Sequence, residues 1–191
     1  MSADLVDRLE AQLSASTEDR AAVESLAASL ARSLDESVAH RHLARLLRCT
    51  AVMAASNLVE AADALAQAML ERLPEAGEDA VRVRNQVALL AVAKGHYREA
   101  VTLLEDAHID AGVLGSPHRA TILANLAATY ILAGRVDEAH KWATAAGDTA
   151  DRGTAAAVLA ALVGSGVARY ISDRTVQADA AAALRWAVHD Y

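Results

Sequence analysis

Phenylalanine is absent from the chain, and two tryptophans and four tyrosines bring the aromatic content to only 3%. That scarcity argues against a β-rich core. With 54% of the 191 residues hydrophobic, it fits alanine and leucine packed between helices. A single cysteine, Cys49, excludes an internal disulfide framework and fits a reducing compartment. Lysine occurs only at positions 94 and 141, which with the abundant alanine suggests a GC-rich, bacterial coding sequence. No run approaches the roughly 18–20 apolar residues needed to span a bilayer. The opening stretch MSADLVDRLEAQ is acidic and amphipathic and lacks the apolar centre of a secretory signal. The expected location is therefore cytoplasmic. Basic residues are also in deficit, 18 against 25 acidic ones for a net charge of −7. Neither nucleic acid nor an anionic membrane is an expected partner.

Reactive constellations are missing too. The chain has no phosphate loop, no Gly-rich dinucleotide turn and no HExxH. His40 and His42 lie beside Arg41, Arg45 and Arg48, but side chains two apart on a helix point to different faces and cannot share a metal. That patch reads as a solvated basic stripe or an anion-binding face. His96, His108, His118, His140 and His189 are scattered at turns and helix ends, none at a spacing that forms a triad. Glu105-Asp106 and Asp137-Glu138 read as surface charge. The expectation is no enzyme, no cofactor and no metal.

What is present is a period. The stretch ANLAATYILAGRVDEAHKWATAA, residues 124–146, matches NQVALLAVAKGHYREAVTLLEDA, residues 85–107, when shifted by 39 positions. Gly134 then falls on Gly95, Val136 on Tyr97, Ala139 on Ala100 and Ala146 on Ala107. The same register places alanine at 22, 61, 100, 139 and 178, and aligns Cys49 with Ala88 and Ala127, so Cys49 reads as a buried packing thiol. A glycine between antiparallel helices takes the left-handed conformation that stops the first helix, and alanine lets the second lie close. An extra methylene at such a contact would cost about 1–3 kcal/mol by overpacking.

These two stretches resemble tetratricopeptide repeats, whose core reads small-x-x-aromatic, then Gly, and five positions later Ala. Asn125-Leu126-Ala127 resembles the Asn-Leu-Gly entry of such a repeat, and residues 112–139 resemble the longer-unit, kinesin-light-chain-like branch. The resemblance implies an all-α fold: a right-handed α-solenoid of about five helix-turn-helix repeats with a 39-residue period. The whole chain, 1–191, is expected to form a single domain, with units near 1–36, 37–76, 77–115, 116–153 and 154–191.

Apolar periodicity and breakers predict helices at 3–14, 17–32, 37–54, 58–72, 79–93, 97–111, 117–133, 136–150, 154–170 and 174–189. Thr17 or Ser16 is expected to cap the second helix and Asp35-Glu36-Ser37 the third. Ser56-Asn57 stands in for the turn glycine, Gly112–Gly115 reads as a loop, and Ser116-Pro117 starts a helix.

In repeats of this kind the first helices line the concave face, and the resemblance implies that Asn125 faces that groove. Helical geometry sets Gln86, Leu89 and Val92 beside Arg82, and Thr121, Ala128, Ile131 and Leu132 near Asn125. Leu43, Leu47, Thr50 and Met53 extend the strip one repeat earlier. Arg82 is the one well-placed candidate for a basic clamp, so the groove suits an apolar peptide, a helix or a partner domain better than a charged ligand. Trp142 is expected in the core. Trp186 and Tyr191 fall where no following repeat covers them and suggest a homodimer contact or a fragment of a longer protein. The functional expectation is a non-catalytic protein-interaction module. The alternative is a sensory or dimerisation domain of a bacterial transcription regulator or nucleotide cyclase.

Overall fold

The computed structural model describes residues 2–15, 19–151 and 154–170. Within them lie ten helices and no strand: α1 (Ser2–Ala15), α2 (Arg20–Ser33), α3 (Glu36–Arg41), α4 (Leu43–Ala55), α5 (Val59–Arg72), α6 (Glu78–Ala93), α7 (Tyr97–Leu114), α8 (Arg119–Leu132), α9 (Val136–Thr149) and α10 (Ala155–Ala168). Most are 14 residues long or close to it, a length at which an isolated helix is marginal in water, so packing decides their stability. The chain divides into two compact units, Met1–His96 and Tyr97–Tyr191.

In the first unit α1 pairs with α2 and α4 with α5, while α2 lies on α5 and α6 packs on α5 and α4. Its core is Val6, Leu9, Val23, Leu30, Leu46, Met53, Leu65 and Met69, each fully buried. In the second unit α8 pairs with α9, α7 packs on α8, and α10 rests on both α8 and α9. There Leu123, Ala124, Ala146 and Ala160 form a cluster, with Trp142, Leu159 and Val163 packed against it. Trp142 thus takes the core role expected of it.

Three helix-ending turns share one hydrogen-bond pattern. At Asn57 (φ 60°) the amide donates to Ala54 O at 3.1 Å, and the next amide, of Leu58, donates to Met53 O at 2.8 Å. Gly95 (φ 78°) and His96 repeat this on Val92 O and Ala91 O, and Gly134 (φ 74°) and Arg135 repeat it on Ile131 O and Tyr130 O. This is the Schellman closure: one left-handed residue turns the chain while the last helical carbonyls find donors. The contact that usually accompanies it, between the residue after the turn and one in the last helical turn, is present twice. Leu58 and Met53 are both buried at the first turn, and at the third the Arg135 guanidinium sits 4.7 Å from the centre of the Tyr130 ring.

These turns correct the period. Gly95 and Gly134 are 39 residues apart, but Asn57 and Gly95 only 38. The slip moves the buried small residue from Ala61 to Ala62, and one repeat earlier from Ala22 to Val23, while Ala100 and Ala139 are fully buried as expected. Ala178 lies outside the described residues.

Helix boundaries shift for identifiable reasons. The second helix is capped by Asp19, whose carboxylate accepts from Ala22 N at 3.1 Å, rather than by Thr17 or Ser16, which lie outside the described residues. The expected helix 37–54 is broken at His42 into α3 and α4. The expected loop from Gly112 is helical through Leu114, because the chain uses Gly115 (φ 63°) as its left-handed stop. Ser116-Pro117 forms a turn, with Ser116 Oγ accepting from His118 N at 3.1 Å, and α8 begins at Arg119. Asp35 caps α3 as expected, accepting from Val38 N at 2.9 Å.

Side chains one repeat apart tie the first unit together. Arg20 Nη2 donates to Asn57 O at 2.8 Å, Arg72 Nε to Leu34 O at 3.3 Å, and Lys94 Nζ to Asp63 Oδ2 at 2.7 Å. The supposed basic stripe is spent in the same way. Arg45 donates through Nε to Glu10 Oε2 at 2.8 Å and through Nη2 to Asp7 Oδ1 at 2.7 Å, and Arg48 Nη2 reaches Glu10 Oε1 at 3.2 Å. These two guanidinium groups hold the Glu10 carboxyl below its ordinary range.

Two outcomes are expected. In Gly134→Ala the added Cβ meets nothing within 4 Å. The cost is only that of holding a side-chain-bearing residue in the left-handed region, so urea unfolding should show a loss of about 1–2 kcal/mol. Glu10→Gln should lower the melting temperature at pH 7. Its carboxyl titrates at a depressed value in the fold, so the difference from wild type should vanish as pH falls through that value, and it should shrink in high salt.

Candidate binding surface

The strip read from the sequence lies on the first helix of each pair. On α6, Arg82, Gln86, Leu89 and Val92 are all half-buried and recur along one side. On α8, Thr121, Asn125, Ala128 and Ile131 stand 39 positions later and are likewise half-buried, with Leu132 exposed beside them. Between these positions run fully packed ones, Val83, Val87 and Leu90 on α6 and Ile122, Leu126 and Thr129 on α8. Thr129 keeps its hydroxyl satisfied by donating to Asn125 O at 2.8 Å.

The extension onto α4 is different. Leu43, Thr50 and Met53 are core residues and only Leu47 is half-buried. The reason is that α4 packs against α1, α5 and α6. Leu43, Thr50 and Met53 therefore offer nothing to a partner. Trp186 and Tyr191 lie outside the described residues.

Arg82 does not stand alone. Its Nη1 is 4.0 Å from Asp79 Oδ1, while the other Asp79 oxygen takes the ring of His40 from α3. Asp79 offsets the Arg82 charge, which suits an apolar or amide-rich ligand.

Cys49 is buried at 3% exposure, and burial raises its thiol pKa, with Glu10 adding to the effect and Arg45 and Arg48 opposing it. A thiol held protonated is a poor nucleophile, so the packing role stands. Among the described residues no cluster of three metal-ligating side chains occurs, and no helix is long and apolar enough to cross a membrane.

Sequence reasoning missed two arrangements in the second unit. Glu105, expected as surface charge, accepts from Tyr130 Oη at 2.9 Å, while Arg135 lies over the same ring and donates through Nε to Glu138 Oε1 at 2.9 Å. Burial first and Glu105 second raise the phenol pKa of Tyr130. The second is His108, whose ring meets Trp142 edge-on at 5.5 Å between centres and 70° between planes. Burial, then the nearby Arg119 cation, lowers its pKa. No spacing in the sequence signals either arrangement, because each joins side chains from different helices.

Against this geometry, residues 91–162 match the family model for the tetratricopeptide repeat. The stretch is tetratricopeptide-repeat sequence. The fold agrees: the TPR-like repeats of a Podosopora anserina protein assigned as a kinesin light chain superpose with a TM-score of 0.66. That likeness has 19% sequence identity and covers 96% of this chain and 92% of the other. A point variant of the same repeats gives a TM-score of 0.67 at 19% identity, over 96% and 91%. At such identity the likeness speaks to fold alone. No curated protein matches the sequence. Tetratricopeptide repeats generally mediate protein–protein interactions.

The lowered His108 value has a measurable consequence. A group that resists protonation in the fold but not in the unfolded chain removes stability as pH falls below its unfolded value. Thermal unfolding followed by circular dichroism should therefore show a steeper loss between about pH 7.5 and 5.5 in wild type than in His108→Phe.

Proposed function

We propose that the chain is a non-catalytic protein-interaction module. Each unit uses the half-buried strip on its first-position helix to hold a peptide, a helix or a partner domain. In the unit Met1–His96 the strip is Arg82, Gln86, Leu89 and Val92 on α6, with Leu47 on α4. In the unit Tyr97–Tyr191 it is Thr121, Asn125, Ala128 and Ile131 on α8.

The observation that carries this reading is the recurrence of partial exposure at equivalent positions of two repeats. A solvated face would be filled with charged side chains, and a core face would be closed. These strips carry amide and aliphatic side chains that are partly exposed, the composition that suits a partner's apolar side chains and backbone amides. The compensation of Arg82 by Asp79 steers the choice away from a carboxylate-bearing ligand.

The test compares affinity capture by wild type, Leu89→Arg and Asn125→Asp, read by quantitative mass spectrometry from the native host. A guanidinium forced into an apolar contact should weaken a partner roughly tenfold or more, and a carboxylate facing a backbone carbonyl should do the same. A partner set unchanged by both substitutions, with helicity intact by circular dichroism, would remove the strips as the binding surface.

A further inference from the structure

His108 and Arg119 meet where α7 packs on α8. His108 and Gly112 lie one turn apart on α7, and the Arg119 guanidinium rests over that turn. A Cβ added to Gly112 would come within 3.6 Å of Arg119 Cζ and Nε. Arg119 Nε is buried and has no hydrogen-bond partner, and the buried Nδ1 of His108 has none either. The His108 ring also meets Trp142 edge-on, and Lys141 Nζ is 4.9 Å from the Trp142 ring centre. Neither Arg119 nor Lys141 has a carboxylate partner among the described residues.

Elsewhere in the chain guanidinium groups find oxygen partners, Arg20 a backbone carbonyl and Arg32 and Arg41 a serine hydroxyl. Arg45, Arg48, Arg72, Arg82, Lys94 and Arg135 each face a carboxylate within 4.0 Å. Here Arg119 lies beside the imidazole and Lys141 over Trp142, neither with a carboxylate partner among the described residues, and two buried nitrogens lack hydrogen-bond partners. Leaving a buried donor unsatisfied destabilises the fold, and more so when the group is charged. An acceptor bearing negative charge relieves both deficits at once.

We propose that this corner of the unit Tyr97–Tyr191 binds a single oxyanion group, one oxygen accepting from Arg119 Nε–H and another from the Nδ1–H tautomer of His108. Lys141 adds attraction from the Trp142 side. Entry requires the guanidinium to swing off Gly112, which is exposed and presents no side chain to block it. The site is independent of the α6 and α8 strips, since none of its residues belongs to them.

The test uses the full chain and proton–nitrogen NMR of the Arg119 Nε–H and the His108 ring. Sodium phosphate and sodium acetate are titrated separately at constant ionic strength, with chloride as the balancing anion. The expected result is a saturable shift of both signals with at least one oxyanion and none with chloride. A response to phosphate alone assigns a phosphate-type ligand, and a response to acetate assigns a carboxylate. Arg119→Gln should weaken binding roughly tenfold or more. Arg119→Lys, which keeps the charge but loses the fork, should bind in between and serves if the glutamine variant does not fold. The proposal is overturned if neither oxyanion gives a saturable shift, or if the shift survives in both variants. It is also overturned if scalar coupling in the free chain shows Arg119 Nε–H bonded directly to His108 Nδ1, because both atoms would then be satisfied internally.

Discussion

The helix ends depend on one backbone residue held at positive φ. Asn57, Gly95 and Gly134 each end a helix by the same pair of amide-to-carbonyl bonds, and Gly115 does so between pairs. The left-handed conformation is expensive for most side chains and nearly free for glycine, with asparagine the tolerated substitute. Within each unit, at Asn57 and at Gly134, that residue also sets the direction in which the next helix leaves. Close approach of the paired helices then follows from what sits at their contact: Ala62 in the first unit and Ala139 in the second, both with no exposed surface.

Charge is laid over this apolar frame at the scale of one repeat. The bonds from Arg45 to Glu10, Arg20 to Asn57 and Arg72 to Leu34 join residues 35, 37 and 38 positions apart. They are partly exposed and individually weak. Their effect is directional, since each fixes the height at which one helix pair of the first unit lies on the next. The same layer engages Arg20, Arg45, Arg48, Arg72 and Lys94 of the first unit.

The fold was largely legible in the sequence, the site only in part. Turn positions could be read because a left-handed residue restricts the choice to glycine or asparagine, and buried alanines because the period repeats them. Boundaries failed where two signals competed. Gly112 and Gly115 are both plausible stops, and the chain tolerated the first inside a helix, where it costs about 1 kcal/mol, and used the second. The break at His42 has no marker, since neither glycine nor proline stands there. Leu43, Thr50 and Met53 look like their counterparts on α6 by register alone. Their burial depends on which neighbours surround α4, a property of packing that a linear period does not contain. Likewise, His108 and Arg119 come together only because the turn at Gly115 folds the start of α8 back on the end of α7.

The local closure of each turn bears on how such a chain assembles. A hairpin sealed by bonds between residues five positions apart, and then locked to its neighbour by contacts less than about 40 positions away, requires no long loop to close before it gains stability. Assembly can start at any pair and spread outward, and a weakened pair opens without dragging distant ones with it. The turns at Asn57, Gly95 and Gly134 stand 38 and 39 residues apart, and the same pair of bonds closes each, so the closure does not depend on an exact spacing between turns.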